Sequence, residues 1–176
     1  SIRQNALPTA SLEAQLQACL HDLRLVLNSQ HDEHTDIQSA VFEYCLSIEG
    51  QIEGSVLAIE YDISDGPSIQ LLPQIHINVM RILQESIANV IKHSYATLVS
   101  VVLHQTETNL TLSVADNGVG LSLSITPSNL NAPDSAGGRG LPSLVARANR
   151  IGGECTFELM NPGTKIQLNL PLVTSS

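Results

Sequence analysis

The chain has 176 residues, of which 43% are hydrophobic and 14% are charged. This length fits one domain with a short appended element, and the composition supports a buried core and excludes a disordered chain. The formal net charge is −9, which disfavours binding to DNA or RNA. Eleven of the 17 acidic residues but only two of the eight basic ones lie in residues 1–65, so this part and the balanced remainder are predicted to do different jobs.

The cysteines and the hydropathy pattern indicate the compartment. Cys19, Cys45 and Cys155 are widely spaced and form no Cys-x-x-Cys pair, which favours neither a disulfide framework nor a zinc site. No apolar run approaches the roughly 20 residues that span a membrane, and no signal peptide opens the sequence. We therefore expect a cytoplasmic domain, and an inner-membrane anchor in a longer parent stays open.

The first part of the chain predicts two helices. Leucines at steps of three and four over residues 11–28 indicate a helix with one apolar stripe, and a second helix is predicted over residues 36–49 after a polar break. We divide the chain accordingly into residues 1–35, a polar end plus part of a helix, and residues 36–176, the main domain.

The main domain continues with alternating strands and helices. A run rich in Gly, Ser, Asn and Pro over residues 117–140 is longer than usual connections, which favours a functional lid. This order predicts an α/β fold, a two-layer sandwich in which a mixed sheet is covered on one face by helices. The further predicted elements are strand 56–63, helix 71–93, strands 98–103 and 110–115, helix 141–151, and strands 154–160 and 164–172.

Two polar side chains are predicted to face the core at strand ends. Leu110, Leu112 and Val114 alternate along one strand, and Asp116 falls on the same face. Thr164 begins the same kind of alternation on the last strand. A carboxylate and a hydroxyl are therefore expected on the core side of the sheet.

The long helix carries a polar stripe. Glu85, Asn89 and the pair Lys92-His93 recur at helical steps, so they present a carboxylate, an amide and one or two cations along about two turns. A solvated outer face is the simplest explanation. The alternative is a site for a metal-bound phosphate chain, because Mg2+ needs few protein ligands and one Asn oxygen is enough. Glu85 could then polarise an attacking group, while Lys92 offsets phosphate charge.

Two glycine-rich segments follow this helix. Asp116-Asn117-Gly118-Val119-Gly120 ends a strand, and its core-facing carboxylate can accept a hydrogen bond from an exocyclic amino group such as that of adenine. Thr164 could share a water or the same base, and an Asp-capped turn is the simpler alternative. Gly137-Gly138-Arg139-Gly140-Leu141 starts a helix, where free N–H groups favour phosphate oxygens, and a flexible hinge is the alternative.

In this order, the segments resemble the ATP-binding domain of sensor histidine kinases, within the superfamily that includes gyrase and MutL ATPases. Within that superfamily, they look like the subfamily of nitrate/nitrite sensors and membrane-fluidity thermosensors, and the resemblance covers about residues 36–172. The motifs that carry it are Glu85-x-x-x-Asn89-x-x-Lys92-His93, similar to the N box, Asp116-x-Gly118-x-Gly120, similar to the first glycine box, and Gly138-x-Gly140-Leu141, similar to the second.

The resemblance implies a Bergerat-type ATP-binding fold and transfer of the γ-phosphoryl group of Mg-ATP to a histidine on a dimerisation helix mostly outside this chain. It further implies relay to a response regulator and a homodimeric full-length protein. Glu85 and Asn89 would be catalytic, with Asn89 also holding Mg2+. The nucleotide-binding residues that the resemblance implies are Asn89, Lys92, His93, Asp116, Gly118, Gly120, Gly138, Arg139, Gly140, Leu141 and Thr164.

The phosphoacceptor histidine of this family lies in a helical hairpin before the ATP-binding domain. His21 is followed by too few helical turns to complete such a hairpin, so we expect an exposed residue near the end of the second dimerisation helix. The isolated chain is then expected to bind nucleotide and show little autophosphorylation. We also expect His31, His34, His76 and His104 to be surface residues, since they form no ligand spacing.

Two other functions are compatible with the same pocket. One is a serine kinase like the anti-sigma factors. The leucine-striped first helix and the Arg147–Gly153 segment, which also looks like a signature of the histidine kinase family, favour the histidine kinase over it. The other is a module that senses nucleotide without catalysis, although both glycine boxes are intact.

Overall fold

The computed structural model describes residues 36–64, 66–67, 69–120 and 140–172. Contacts divide the chain into two units, Ser1–Thr35 and Asp36–Ser176, and the first lies outside the described residues. The helix predicted over residues 11–28 and the histidines and cysteine of that unit therefore lie outside them as well.

The described residues of the second unit form helices and strands close to the predicted ones. No helix among them is long and apolar enough to cross a bilayer. The elements are α1 (Ile37–Ile52), β1 (Ala58–Ile63), α2 (Pro73–Asn89), a π-helix (Val90–Ser94), β2 (Leu98–Gln105), β3 (Asn109–Asp116), α3 (Gly140–Arg150), β4 (Glu154–Leu159) and β5 (Thr164–Pro171).

The five strands form one mixed sheet in the order β1-β2-β3-β5-β4. β1 runs parallel to β2, whereas the other neighbouring pairs are antiparallel. Helix α1 packs on β1, α2 on β3 and α3 on β4. The predicted α/β sandwich is therefore confirmed.

Alternating burial shows which face of the sheet the helices cover. Along β3, Leu110, Leu112 and Val114 are at most 3% exposed, whereas the residues between them are only partly buried. Strand β5 repeats this pattern from Thr164 through Leu170. Since burying apolar side chains is the main driving force of folding, these alternating residues fix the register of the central strands.

Helix α2 departs from its predicted apolar face at both ends. It begins at Pro73, which suits the first helical turn, so Leu72 precedes the helix and is 68% exposed. Ile91, also predicted on the apolar side, is 49% exposed. It lies in the π-helix, whose wider turn rotates the residues that follow away from the α-helical period.

His76 is not the surface residue that the sequence predicts. Its side chain is partly buried on α2, and its Nε2 atom is buried without a hydrogen-bond partner. Burial lowers the pKa of His76, and the nearby Asp36 carboxylate opposes this shift in part. His104, on β2, is exposed as predicted.

Candidate functional site

Asp116 ends strand β3 on the buried face of the sheet. It is 9% exposed and follows Leu112 and Val114 on that face, as the alternation predicts. Its Oδ1 accepts a hydrogen bond from the backbone N–H of Gly118 at 2.8 Å. Thr164, which is 5% exposed, stands directly opposite Asp116 in the β3–β5 register. The carboxylate and hydroxyl expected on one side of the sheet are therefore neighbours.

The first glycine box is in close contact with the end of the long helical segment. A Cβ atom on Gly118 would overlap the carbonyl oxygen of Ser94, and that oxygen accepts a hydrogen bond from the N–H of Val119 at 2.8 Å. Gly120 has φ = 76°, and a Cβ there would lie 3.1 Å from the carbonyl oxygen of Gly163. A side chain would not fit at Gly118, and Gly120 has a positive φ that other residues rarely adopt, so both positions favour glycine.

The polar stripe of α2 is not a fully solvated face. Asn78, about two turns before Glu85 on the same stripe, is buried, and its amide donates to the carbonyl oxygen of Gln74 at 2.8 Å. Glu85 and Asn89 are partly buried, whereas Lys92 is exposed. The Nδ2 atom of Asn89 is buried and has no hydrogen-bond partner. An amide that is enclosed without a partner is costly in a folded protein, so Asn89 is suited to a ligand.

The two candidate phosphate contacts lie on the π-helix. Lys92 and His93 are exposed, and the next residue, Ser94, is buried with its hydroxyl donating to the carbonyl oxygen of Val90 at 2.8 Å. Tyr95 ends this turn with φ = 51° and is 89% exposed. Short π-helical turns are rare and are frequently found at functional sites. The turn places Lys92 and His93 immediately before Ser94, the residue that contacts the glycine box.

Asn117 makes contacts that the sequence did not reveal. Its side-chain Oδ1 accepts hydrogen bonds from the N–H groups of Thr97 and Leu98, at 2.9 and 3.0 Å. Its Nδ2 donates to the hydroxyl of Thr97 at 2.9 Å. In the motif this residue was only a spacer between Asp116 and Gly118, and no local pattern indicated a partner about 20 residues away.

The second glycine box is described only in part. Gly140 is the first residue of α3, which packs against α2 and β4. Leu141 is 3% exposed and belongs to the hydrophobic core. Gly138 and Arg139 lie outside the described residues, as does most of the predicted lid over residues 117–140.

These features define a class of protein. A carboxylate buried at the end of a central strand lies beside a glycine turn, and that turn contacts the end of a long helix with an enclosed amide. A few polar groups that converge in this way are typical of a site that orients a small ligand.

Comparison with known proteins gives the family. Residues 75–174 match the histidine kinase-, DNA gyrase B-, and HSP90-like ATPases, and this match spans more than half of the chain. The chain therefore belongs to that family.

The similar curated proteins are sensor histidine kinases. The chain is 32% identical over 105 residues to the sensor histidine kinase YxjM of Bacillus subtilis, covering 59% of this chain and 23% of that protein. It is 27% identical over 150 residues to the nitrate/nitrite sensor protein NarQ of Escherichia coli, covering 85% and 24%. The chain thus spans about a quarter of the length of these relatives. Together with the family match, this similarity shows an ATP-binding domain of the histidine kinase type.

A solved structure shares the fold. A blue-light activated histidine kinase of Erythrobacter litoralis superimposes with a TM-score of 0.74 at 14% sequence identity, covering 97% of this chain and 53% of that one. At this identity, the likeness concerns the fold alone.

Proposed function

We propose that this chain binds Mg-ATP and transfers the γ-phosphoryl group to a histidine on a dimerisation helix mostly outside the chain. The observation that carries the proposal is the enclosed pair of Asp116 and Thr164 beside a glycine turn joined to the α2 segment. The sensor kinases to which the chain is similar favour this acceptor over the serine of an anti-sigma-type substrate.

At the base end, Asp116 would read the exocyclic amino group of adenine. One carboxylate oxygen is already held by the N–H of Gly118, which fixes the orientation of the group. The direction of the second carboxylate oxygen is therefore fixed before the nucleotide binds. Guanine carries a carbonyl at the equivalent position, so a carboxylate acceptor there discriminates between the two purines. Thr164 would assist as a donor or acceptor toward the same base.

At the phosphate end, Asn89 would supply an oxygen ligand to Mg2+. Its Nδ2 atom is buried without a hydrogen-bond partner, which leaves a donor that suits a phosphate oxygen beside the ion. No group of three or more His, Cys, Asp or Glu side chains in the described ranges could hold a metal ion. A Mg2+ ion here would take most of its ligands from phosphate oxygens and water, as Mg2+ commonly does. When bound, it would neutralise phosphate charge.

The remaining polar side chains of this end act on the phosphates and the acceptor. Lys92 and His93 would contact phosphate oxygens from the π-helix, together with the glycine box that includes Gly138, Arg139 and Gly140. Glu85, one turn before Asn89 on α2, would polarise the attacking imidazole. In the transfer, a nitrogen of the acceptor histidine bonds to the γ-phosphorus while the bond from that phosphorus to the β-γ bridging oxygen breaks, and ADP leaves.

The proposed partners follow from the same chemistry. The acceptor histidine would belong to the protein's own dimerisation domain in a homodimer, and the phosphoryl group would pass to a response regulator. The catalytic domain would work in the cytoplasm, with any membrane anchor carried by the longer protein.

Calorimetric titration with ATP and GTP, with and without Mg2+, tests the base end. We expect Asp116→Ala to weaken ATP binding by roughly ten- to a hundredfold, as loss of a hydrogen bond to a charged group of about 1.5–3 kcal/mol requires. The preference for ATP over GTP should disappear. Asp62→Ala, which removes an exposed carboxylate from the edge strand β1, is the matched control. Unchanged ATP binding in Asp116→Ala would remove the assigned role.

A second experiment separates kinase from sensing module. The chain is mixed with a separate dimerisation hairpin from a related kinase and with Mg-ATP, and phosphohistidine is measured. Labelling of the hairpin supports catalysis, whereas nucleotide binding without labelling supports the sensing module. Efficient self-labelling that His21→Ala abolishes would show that the acceptor lies within this chain.

A further inference from the structure

We propose that Asn117 is a positioning residue that fixes the spacing between the base-binding and the phosphate-binding ends of the nucleotide site. The inference rests on the proposed function, because it concerns how the two ends of that site are held together.

Asn117 joins two segments that are distant in sequence. Its side chain makes three hydrogen bonds to Thr97 and Leu98, and its own N–H donates to the carbonyl oxygen of Leu98 at 3.3 Å. An amide offers both an acceptor and donors, and Asn117 uses both kinds here. Four hydrogen bonds therefore connect the first glycine box to the start of β2.

Each joined segment carries one end of the proposed site. Asn117 lies between Asp116, which faces the base position, and Gly118, whose N–H holds the Asp116 carboxylate at 2.8 Å. Thr97 follows the π-helix that carries Lys92 and His93. The amide of Asn117 is thus a direct bridge between the segment that reads the base and the segment that reaches the phosphates.

A second contact joins the same two segments. The carbonyl oxygen of Ser94 accepts from the N–H of Val119 at 2.8 Å, and Gly118 approaches that oxygen too closely for a side chain. Residues 94–98 and residues 117–119 are therefore bound at two points. Such a double attachment resists both sliding and hinging of one segment on the other.

If Asn117 only stabilised the end of the strand, its loss would lower the stability of the fold and would not selectively weaken a ligand that contacts both ends of the site. ATP contacts the site at both ends, so its affinity depends on the distance between those ends, whereas a ligand that occupies one end does not sense it. The side chain of Asn117 itself is exposed. It is therefore accessible to substitution without disturbing the core.

The test compares three probes on the whole chain: ATP, adenosine for the base end, and tripolyphosphate for the phosphate end. The variant is Asn117→Ala. The matched control is Asn109→Ala at the opposite end of β3, where the Asn109 amide donates to the Thr111 hydroxyl at 3.1 Å and to Asn169 Oδ1 at 2.9 Å. Both variants lose side-chain hydrogen bonds of one asparagine, and thermal melting reports the folded fraction of each.

We expect Asn117→Ala to weaken ATP binding by about tenfold, with adenosine and tripolyphosphate each within about twofold of the parent. Asn109→Ala should bind all three probes like the parent despite a comparable loss of thermal stability. Thr97→Val, which removes only the Thr97 hydroxyl contact, should weaken ATP binding by a smaller factor. This milder variant decides the question if Asn117→Ala does not fold.

The proposal is overturned if Asn117→Ala binds ATP like the parent, if Asn109→Ala weakens ATP equally, or if adenosine or tripolyphosphate loses as much affinity as ATP. These results differ from a failure of the proposed function, in which the parent itself would not bind ATP or would be insensitive to Asp116→Ala.

Discussion

Gly163 lies so close to Asp116 that a Cβ atom on the glycine would overlap the carbonyl oxygen of the aspartate. Gly163 also has φ = 105°, a conformation that other residues rarely adopt. The glycine therefore lets the turn between β4 and β5 approach the end of β3, where the candidate base site begins.

Gly163→Ala should damage both the fold and the site. We expect a loss of about 2–4 kcal/mol in the free energy of unfolding, from roughly 1–3 kcal/mol of forced repacking and about 1 kcal/mol of left-handed strain. ATP binding should weaken because the Asp116 backbone is displaced. Urea unfolding and calorimetry measure the two effects. Gly50→Ala is the control, since Gly50 is helical with open space around it, and should raise stability by about 0.5–1 kcal/mol. Tolerance of Gly163→Ala would contradict the steric argument.

Asn89→Ala should remove the dependence of ATP binding on Mg2+. In the parent we expect Mg2+ to tighten ATP binding by about tenfold, equivalent to about 1.4 kcal/mol, and in the variant this gain should be lost. Titration with and without EDTA measures it. Asn78→Ala, on the same helix with its amide bonded to Gln74, should keep the gain. A full Mg2+ effect in Asn89→Ala would assign the metal to other residues.

His76 should make the fold sensitive to mild acid. Burial lowers its pKa in the folded state from the ordinary 6.5, so the unfolded chain binds the proton more readily. As the pH falls below about 6.5 toward the folded-state pKa, His76 should therefore reduce the free energy of unfolding. Above that pH, His76 does not reduce the free energy of unfolding. Urea unfolding of the parent and His76→Gln at several pH values measures the difference. The prediction is wrong if the difference in unfolding free energy between the parent and His76→Gln stays the same at all these pH values.

Cys45 and Cys155 should not react with thiol reagents in the folded protein. Burial raises the pKa of the Cys45 thiol to about 11 and that of Cys155 to about 12, so almost no reactive thiolate exists at neutral pH. Iodoacetamide labelling followed by mass spectrometry should modify both only after denaturation. Rapid labelling of Cys155 in the native chain would show that β4 opens readily.

Much of the candidate site was predictable because it depends on local periodicity. The two-residue repeat of a strand decides that Asp116 faces the same way as Leu112, and the same repeat turns Thr164 inward on β5. Neither inference required knowledge of which strands are neighbours. The helical step of three and four likewise places Glu85 and Asn89 on one side of α2.

Periodicity failed where the backbone left its regular geometry or where the environment came from distant residues. Ile91 was predicted on the apolar face, but the π-helix breaks the period before it. His76 was predicted at the surface because polarity in sequence says nothing about which elements pack over a position.

The order of residues alone thus specified the alternating strands, the amphipathic helices and the motifs, since each depends on interactions within a few residues. The side-chain bridge from Asn117 to Thr97 and Leu98, and the close approach of Gly118 to Ser94, arose only when β2 and β3 paired and the π-helix turned back to the sheet. Hydrogen bonds and steric contacts act over a few ångströms, so residues about 20 positions apart meet only after the packing of the whole domain has brought them together.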